Sequence, residues 1–169
     1  MITQELIQQL YQQILSEVQA IAPLHNWVIQ PTSVEMLSHK SKYGQATKDG
    51  KIQISEFFLG TDAVEKLKNT LRHEFAHLCI GLSHHHNKVF RRVEKQFGVT
   101  EAGNDQQECQ KILNKIPYKY TVFIHLMNGE RVSLGGVHRK TKTYTEYDRN
   151  KQPYSHKGVP ILRFEFVEN

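Results

Sequence analysis

The hydrophobic pattern changes period at Pro117, and that change limits the folds open to this chain. Before it, apolar residues recur every three or four positions, the period of helices with one buried face. After it, Tyr118, Tyr120, Val122, Ile124 and Leu126 alternate with Lys119, Thr121, Phe123, His125 and Met127, the period of a strand. Asn128-Gly129 is a strong hairpin signal, and Arg131 to Leu134 forms the returning strand. Lys142 to Tyr147 and Ile161 to Val167 are further strand candidates. The expected class is α+β: a helical unit over residues 1–116, then a small antiparallel β-unit over 117–169. With no flexible linker between them, the two are expected to pack together.

Within the first unit, Leu6, Ile7, Leu10, Tyr11, Ile14, Leu15, Val18 and Ile21 predict a helix over residues 3–21, stopped by Pro23. Trp27-Val28-Ile29 reads as a short strand, and Ser38 to Lys42 as a polar segment. Tyr43 to Thr47 and Lys51 to Ser55 read as a hairpin turning at Lys48-Asp49-Gly50. Asp62 with Glu65 makes a capping-box pattern for a second helix, which Val64, Leu67, Leu71, Phe75 and Leu78 carry to Ile80, before Gly81. A third helix over 88–97 is expected to bury Val89, Phe90, Val93 and Phe97. A fourth is expected over 105–115.

The second helix carries His73-Glu74-Phe75-Ala76-His77. Residues four apart lie on one helix face, so both imidazoles can reach one cation. Zinc takes neutral imidazole nitrogen readily, and three protein ligands leave a position for water. Glu74 sits beside the first ligand and can take a proton from that water without occupying the metal. Burying these three polar groups with no metal would be costly. For the third ligand the residues offer His84, His85, His86 and Glu94. The metzincin pattern is absent, because Ile80 and Ser83 stand where it needs glycine and histidine. Glu94 on the next helix would give a gluzincin-type site.

Composition narrows the setting. No run approaches the roughly 20 apolar residues that span a bilayer, and the N-terminus lacks the pattern of a secretory signal. The two cysteines, Cys79 and Cys109, read as free thiols, so a cytoplasmic protein with no membrane partner is expected. The net charge is +5, and residues 117–169 carry nine Lys and Arg against five acids. Such an excess fits a polyanion-facing surface, although a solvated face has the same composition.

His73 to His77, a short loop, then His86-Asn87-Lys88-Val89-Phe90 resembles the SprT-like metalloprotease family, which includes bacterial SprT and animal Spartan. Gly50-Lys51-Ile52-Gln53-Ile54-Ser55 resembles the strand that precedes that family's metal helix. The resemblance runs from about Tyr43 to Phe97. It implies a zincin-like helical core with a small hairpin, one Zn2+, and His86 as third ligand, four residues before the aromatic Phe90. It also implies Glu74 as general base and a protein substrate. Spartan-type relatives act on proteins crosslinked to DNA, so Arg139, Lys140 and Lys142 become candidate nucleic-acid contacts. The chain departs from the family after Cys109, where it lacks the cysteines of a zinc ribbon. The β-unit therefore reads as a degenerate ribbon in which hydrophobic pairing (Tyr118, Tyr120, Val122, Tyr144, Phe164, Phe166) replaces metal. His125, His138 and His156 offer a second set of metal-ligating side chains, although scattered histidines are more often surface residues. The alternative to an enzyme is a nucleic-acid- or protein-binding module with a structural or regulatory metal site.

Overall fold

Helix α1 (Gln4–Ile21) opens the fold, with Thr3 as its N-cap accepting from the Leu6 amide at 3.2 Å. The computed structural model describes residues 1–39 and 41–169, so position 40 of the expected polar segment lies outside the described residues. The chain divides into two compact units, Met1–Ile116 and Pro117–Asn169. Among the described residues, no helix is long and apolar enough to cross a membrane.

In the first unit a three-stranded sheet has the order β1-β3-β2, from β1 (Ser33–Leu37), β2 (Gly44–Ala46) and β3 (Lys51–Ser55). β2 and β3 form the expected antiparallel hairpin, and β1 lies parallel to β3. Helix α2 (Val64–Ile80) runs through the core, with Leu67, Leu71, Phe75 and Leu78 fully buried. Burying side chains of this size contributes roughly 1.5–3 kcal/mol each. They meet Ile7, Tyr11, Ile14 and Val18 of α1 and Ile52 and Ile54 of β3 in one cluster. Tyr11 and Trp27 pack on Phe75, with ring centroids 5.2 and 6.0 Å away. Helices α3 (Lys88–Gln96) and α4 (Gln106–Leu113) complete the unit.

Three local expectations are corrected. Residues 27–29 do not form a strand: the Val28 and Ile29 amides donate to Cys79 O and Leu78 O, satisfying carbonyls at the end of α2. The Asp62–Glu65 capping box does not form; Ala63 is the N-cap of α2 without a side-chain bond, while Asp62 pairs with Lys111 and Glu65 with Lys68. Val89 is 40% exposed, because it turns away from the face of α3 that buries Phe90.

The second unit is a sheet of order β5-β4-β7-β6, from β4 (Tyr120–Leu126), β5 (Arg131–Val137), β6 (Ser155–His156) and β7 (Val159–Glu168). Val122, Ile124 and Leu126 are buried, as the alternation predicts. Lys142 to Tyr147 is not a strand: a helical turn, α5 (Lys142–Thr145), lays Tyr144 flat on Phe164, with centroids 4.2 Å apart. Tyr120 meets Phe166 at 6.2 Å, whereas Tyr118 instead packs on His138 at 4.9 Å.

Candidate metal centre

One turn of α2 places His73 and His77 on the same face, and the loop after the helix returns His86 to them. Gly81 makes this return possible: it ends the helix at φ +91°, a conformation open to glycine, and its amide donates to His77 O. His85 and His86 are themselves left-handed, at φ 42° and 57°. Such residues cost about 1–2 kcal/mol each, and this backbone geometry is what directs His86 inward. Asn87 then caps α3, its side-chain oxygen accepting from the Val89 and Phe90 amides at 3.0 and 3.1 Å.

Three Nε2 atoms converge. His86 Nε2 lies 3.0 Å from His73 Nε2 and 3.1 Å from His77 Nε2. The fully buried Phe90 forms the floor, its ring centroid 4.9, 4.3 and 4.8 Å from those of His73, His77 and His86. Of the other proposed ligands, His84 Nδ1 meets the Asn87 side-chain amide at 3.1 Å, and His85 is exposed. Glu94 Oε1 lies 2.6 Å from His73 Nδ1, on the far side of that ring from the cluster. It orients a histidine where a gluzincin glutamate would bind metal. Among the described residues, His73, His77 and His86 are the group able to hold a metal ion; His125, His138 and His156 form none.

The chemistry of the donors fits a cation. With Glu94 accepting the Nδ1 proton, His73 turns its Nε2 lone pair toward the other two rings. Burial, then the neighbouring histidines, push His77 down to about 4, and burial also lowers His73 despite Glu94. Neutral imidazoles are the ligating form. Lone pairs at this separation repel one another unless a cation lies among them, and tetrahedral zinc at 2.0–2.1 Å sets ligand nitrogens about 3.3 Å apart. His77 Nδ1 is buried without a hydrogen-bond partner among the described residues, whereas His73 has its carboxylate.

Glu74 is 5% exposed and lies beside the cluster. Burial pushes its carboxyl up to about 7, with the Ala46 amide and the charge of Lys42 opposing the rise. Strand β2 is an edge of the sheet, and the register with β3 turns the backbone groups of Gly44 and Ala46 to the open side. Gly44 permits the approach: an added Cβ would lie 2.8 Å from Thr70 Cγ2 and 3.3 Å from Glu74 Cγ. A cleft of about 350 Å³ opens here, with Lys42, Gly44, Lys66, His73, Glu74 and Glu94 among its lining residues.

Residues 4–111, which span helix α1, the sheet, helix α2 and the returning His86, match the SprT-like family in sequence. The chain belongs to the SprT-like family. No individually curated protein matches it. The match ends before Pro117, so the second unit lies outside it. The family is metallopeptidase-like in general, which agrees with a three-histidine cluster beside a buried glutamate.

Two features of the site escaped sequence reading. Phe90 reads there as an ordinary core residue, and the Ala46 amide carries no side-chain signal. The aromatic four residues after His86 is the one hint of the floor.

Proposed function

We propose that this SprT-like chain is a zinc-dependent peptidase that hydrolyses peptide bonds of protein substrates in the cytoplasm. His73, His77 and His86 would hold the ion, with Glu74 as general base. The observation that carries this reading is the convergence of three imidazole Nε2 atoms beside a buried carboxylate at an open sheet edge. Three imidazoles suit zinc and leave room for a reactant. Bound zinc supplies Lewis acidity, polarising a carbonyl and making water more acidic. The Glu74 carboxylate takes a proton from the attacking water and returns it to the leaving amine. The free edge of β2 receives an extended substrate segment as an added strand. A base beside the cluster favours this reading over a purely structural metal site.

Elemental analysis combined with cleavage of an unfolded, fluorescently labelled protein tests the proposal. One zinc per chain is expected in wild type and in Glu74→Gln, with cleavage by the wild type alone. A zinc-loaded wild type that leaves the substrate intact would overturn the peptidase reading and favour the binding module.

For residues 117–169 we propose DNA contact through Arg139, Lys140 and Lys142. All three are exposed, and Lys140 Nζ lies 5.0 Å from the Tyr120 ring centroid, setting a cation beside an aromatic face. Gel shifts over a salt series should show affinity falling as salt rises. Absence of salt-sensitive binding would remove DNA from the proposal.

A further inference from the structure

The cleft beside Glu74 is lined by two lysines, Lys42 and Lys66, and two glutamates, Glu74 and Glu94. Neither lysine forms a salt bridge among the described residues. Lys42 Nζ donates to Gln45 Oε1 at 3.0 Å. Lys66 Nζ donates to Asn104 Oδ1 at 2.9 Å and lies 4.5 Å from the Tyr43 ring centroid. Of the carboxylates that share the cleft, Glu94 bonds His73, and Glu74 lies within reach of the Ala46 amide and the charge of Lys42.

The neutral walls are engaged as well. Asn69 donates to Thr100 O at 2.6 Å and accepts from the Thr100 amide at 3.1 Å, which docks the following loop onto α2. Thr70 donates to Lys66 O at 2.8 Å. What the cleft offers a ligand is therefore foremost the half-buried Lys66, whose ammonium group is held by the neutral Asn104 Oδ1, with Lys42 shared between Gln45 and the field of Glu74.

Resting on the peptidase reading, we propose that this cleft selects an acidic side chain, so that substrates carry Asp or Glu next to the bond that is cut. A carboxylate there gains charge-assisted bonds to Lys66 and Lys42, stronger than the neutral bonds it displaces. A Lys or Arg side chain meets like charge, and an apolar one strips water from the ammonium groups while replacing none of its bonds. At about 350 Å³ the cleft has room for a glutamate side chain.

The test is peptide binding to the full, zinc-loaded chain carrying Glu74→Gln, so that nothing is cut. Blocked Ala-Ala-X-Ala-Ala peptides with X as Glu, Gln or Lys are titrated, and the side-chain amide signals of Asn69 and Asn104 are followed by NMR. The Glu peptide should bind about tenfold tighter than the Gln peptide, with the Lys peptide weakest. Lys66→Glu should reverse the order of Glu and Lys. Lys66→Met, which keeps the stem and loses the charge, should abolish the discrimination and serves if the reversal variant does not fold. Equal binding of Glu and Gln peptides, an unchanged order in both variants, or no binding overturns the proposal. Cleavage by wild type is scored separately. Selective binding without cleavage sinks the peptidase reading alone, and cleavage without acidic preference sinks the cleft assignment alone.

Discussion

Glu94 Oε1 stands 2.6 Å from His73 Nδ1, joining a carboxylate of α3 to the first histidine of α2. The bond fixes the tautomer of His73, and with it the direction of the Nε2 lone pair. It also ties the helix that carries two of the clustered histidines to the helix that follows the third.

Replacing Glu94 with Gln keeps the shape and removes the charge. Metal affinity should fall about 10–100-fold, as for other outer partners of ligating histidines. Competition with a chromogenic chelator measures it, and the melting temperature of the metal-free protein should change little. Unchanged affinity would show that Glu94 does not tune the site.

His86→Ala should lose the metal, whereas His84→Ala and His85→Ala should keep it. His84 is engaged with Asn87 and His85 is exposed, and neither belongs to the converging group of donors. Metal content of the three purified variants decides, and retention by His86→Ala would move the third ligand elsewhere.

Glu74 makes stability depend on pH in the metal-free protein. Its carboxyl titrates at about 7 when folded, against 4.5 as the ordinary value, so the folded state keeps a proton that the unfolded state has lost. Its contribution is fully present below about pH 4.5 and is lost as pH rises through about 7. Glu74→Gln lacks this loss. It should therefore be more stable than wild type at pH 8, by about 3 kcal/mol, and similar at pH 4.5. Thermal melts at both pH values check this; an equal difference at both would refute it.

Phe90→Ala should destabilise the first unit by about 3–5 kcal/mol, the usual cost of emptying a fully buried aromatic site. Phe90→Leu should cost less. It should still weaken metal binding, because the three rings lose the aromatic surface they pack against, His73 and His86 edge-on and His77 tilted. Denaturant unfolding and chelator competition separate the two effects, and full affinity in the Leu variant would reduce Phe90 to a core residue.

Much of the fold was legible because it rests on short-range rules. Helical periodicity marked α1 and α2, Asp49-Gly50 and Asn128-Gly129 marked the two hairpins, and Pro117 marked the change from helices to sheet. What was misread depends on distant partners. Residues 27–29 are held by the carbonyls of a helix fifty positions away, and β1 exists through parallel pairing with β3. Asp62 prefers Lys111 to its own helix, and Tyr144 is drawn into a helical turn by stacking on Phe164.

The candidate site divides along the same line. The four-residue spacing of His73 and His77, with Glu74 between them, was set by the sequence, because the pitch of one helix puts both rings on one face. Residue spacing left four candidates for a third ligand, and the family resemblance pointed to His86. Only the tertiary structure decided the rest. Two left-handed histidines turn the loop inward, Phe90 supplies a floor, and α3 brings Glu94 behind His73 as a partner of the ring. The physical reason is range. A helix dictates neighbours three and four residues away, whereas the direction of a loop and the far side of an imidazole are set by whichever element packs against them.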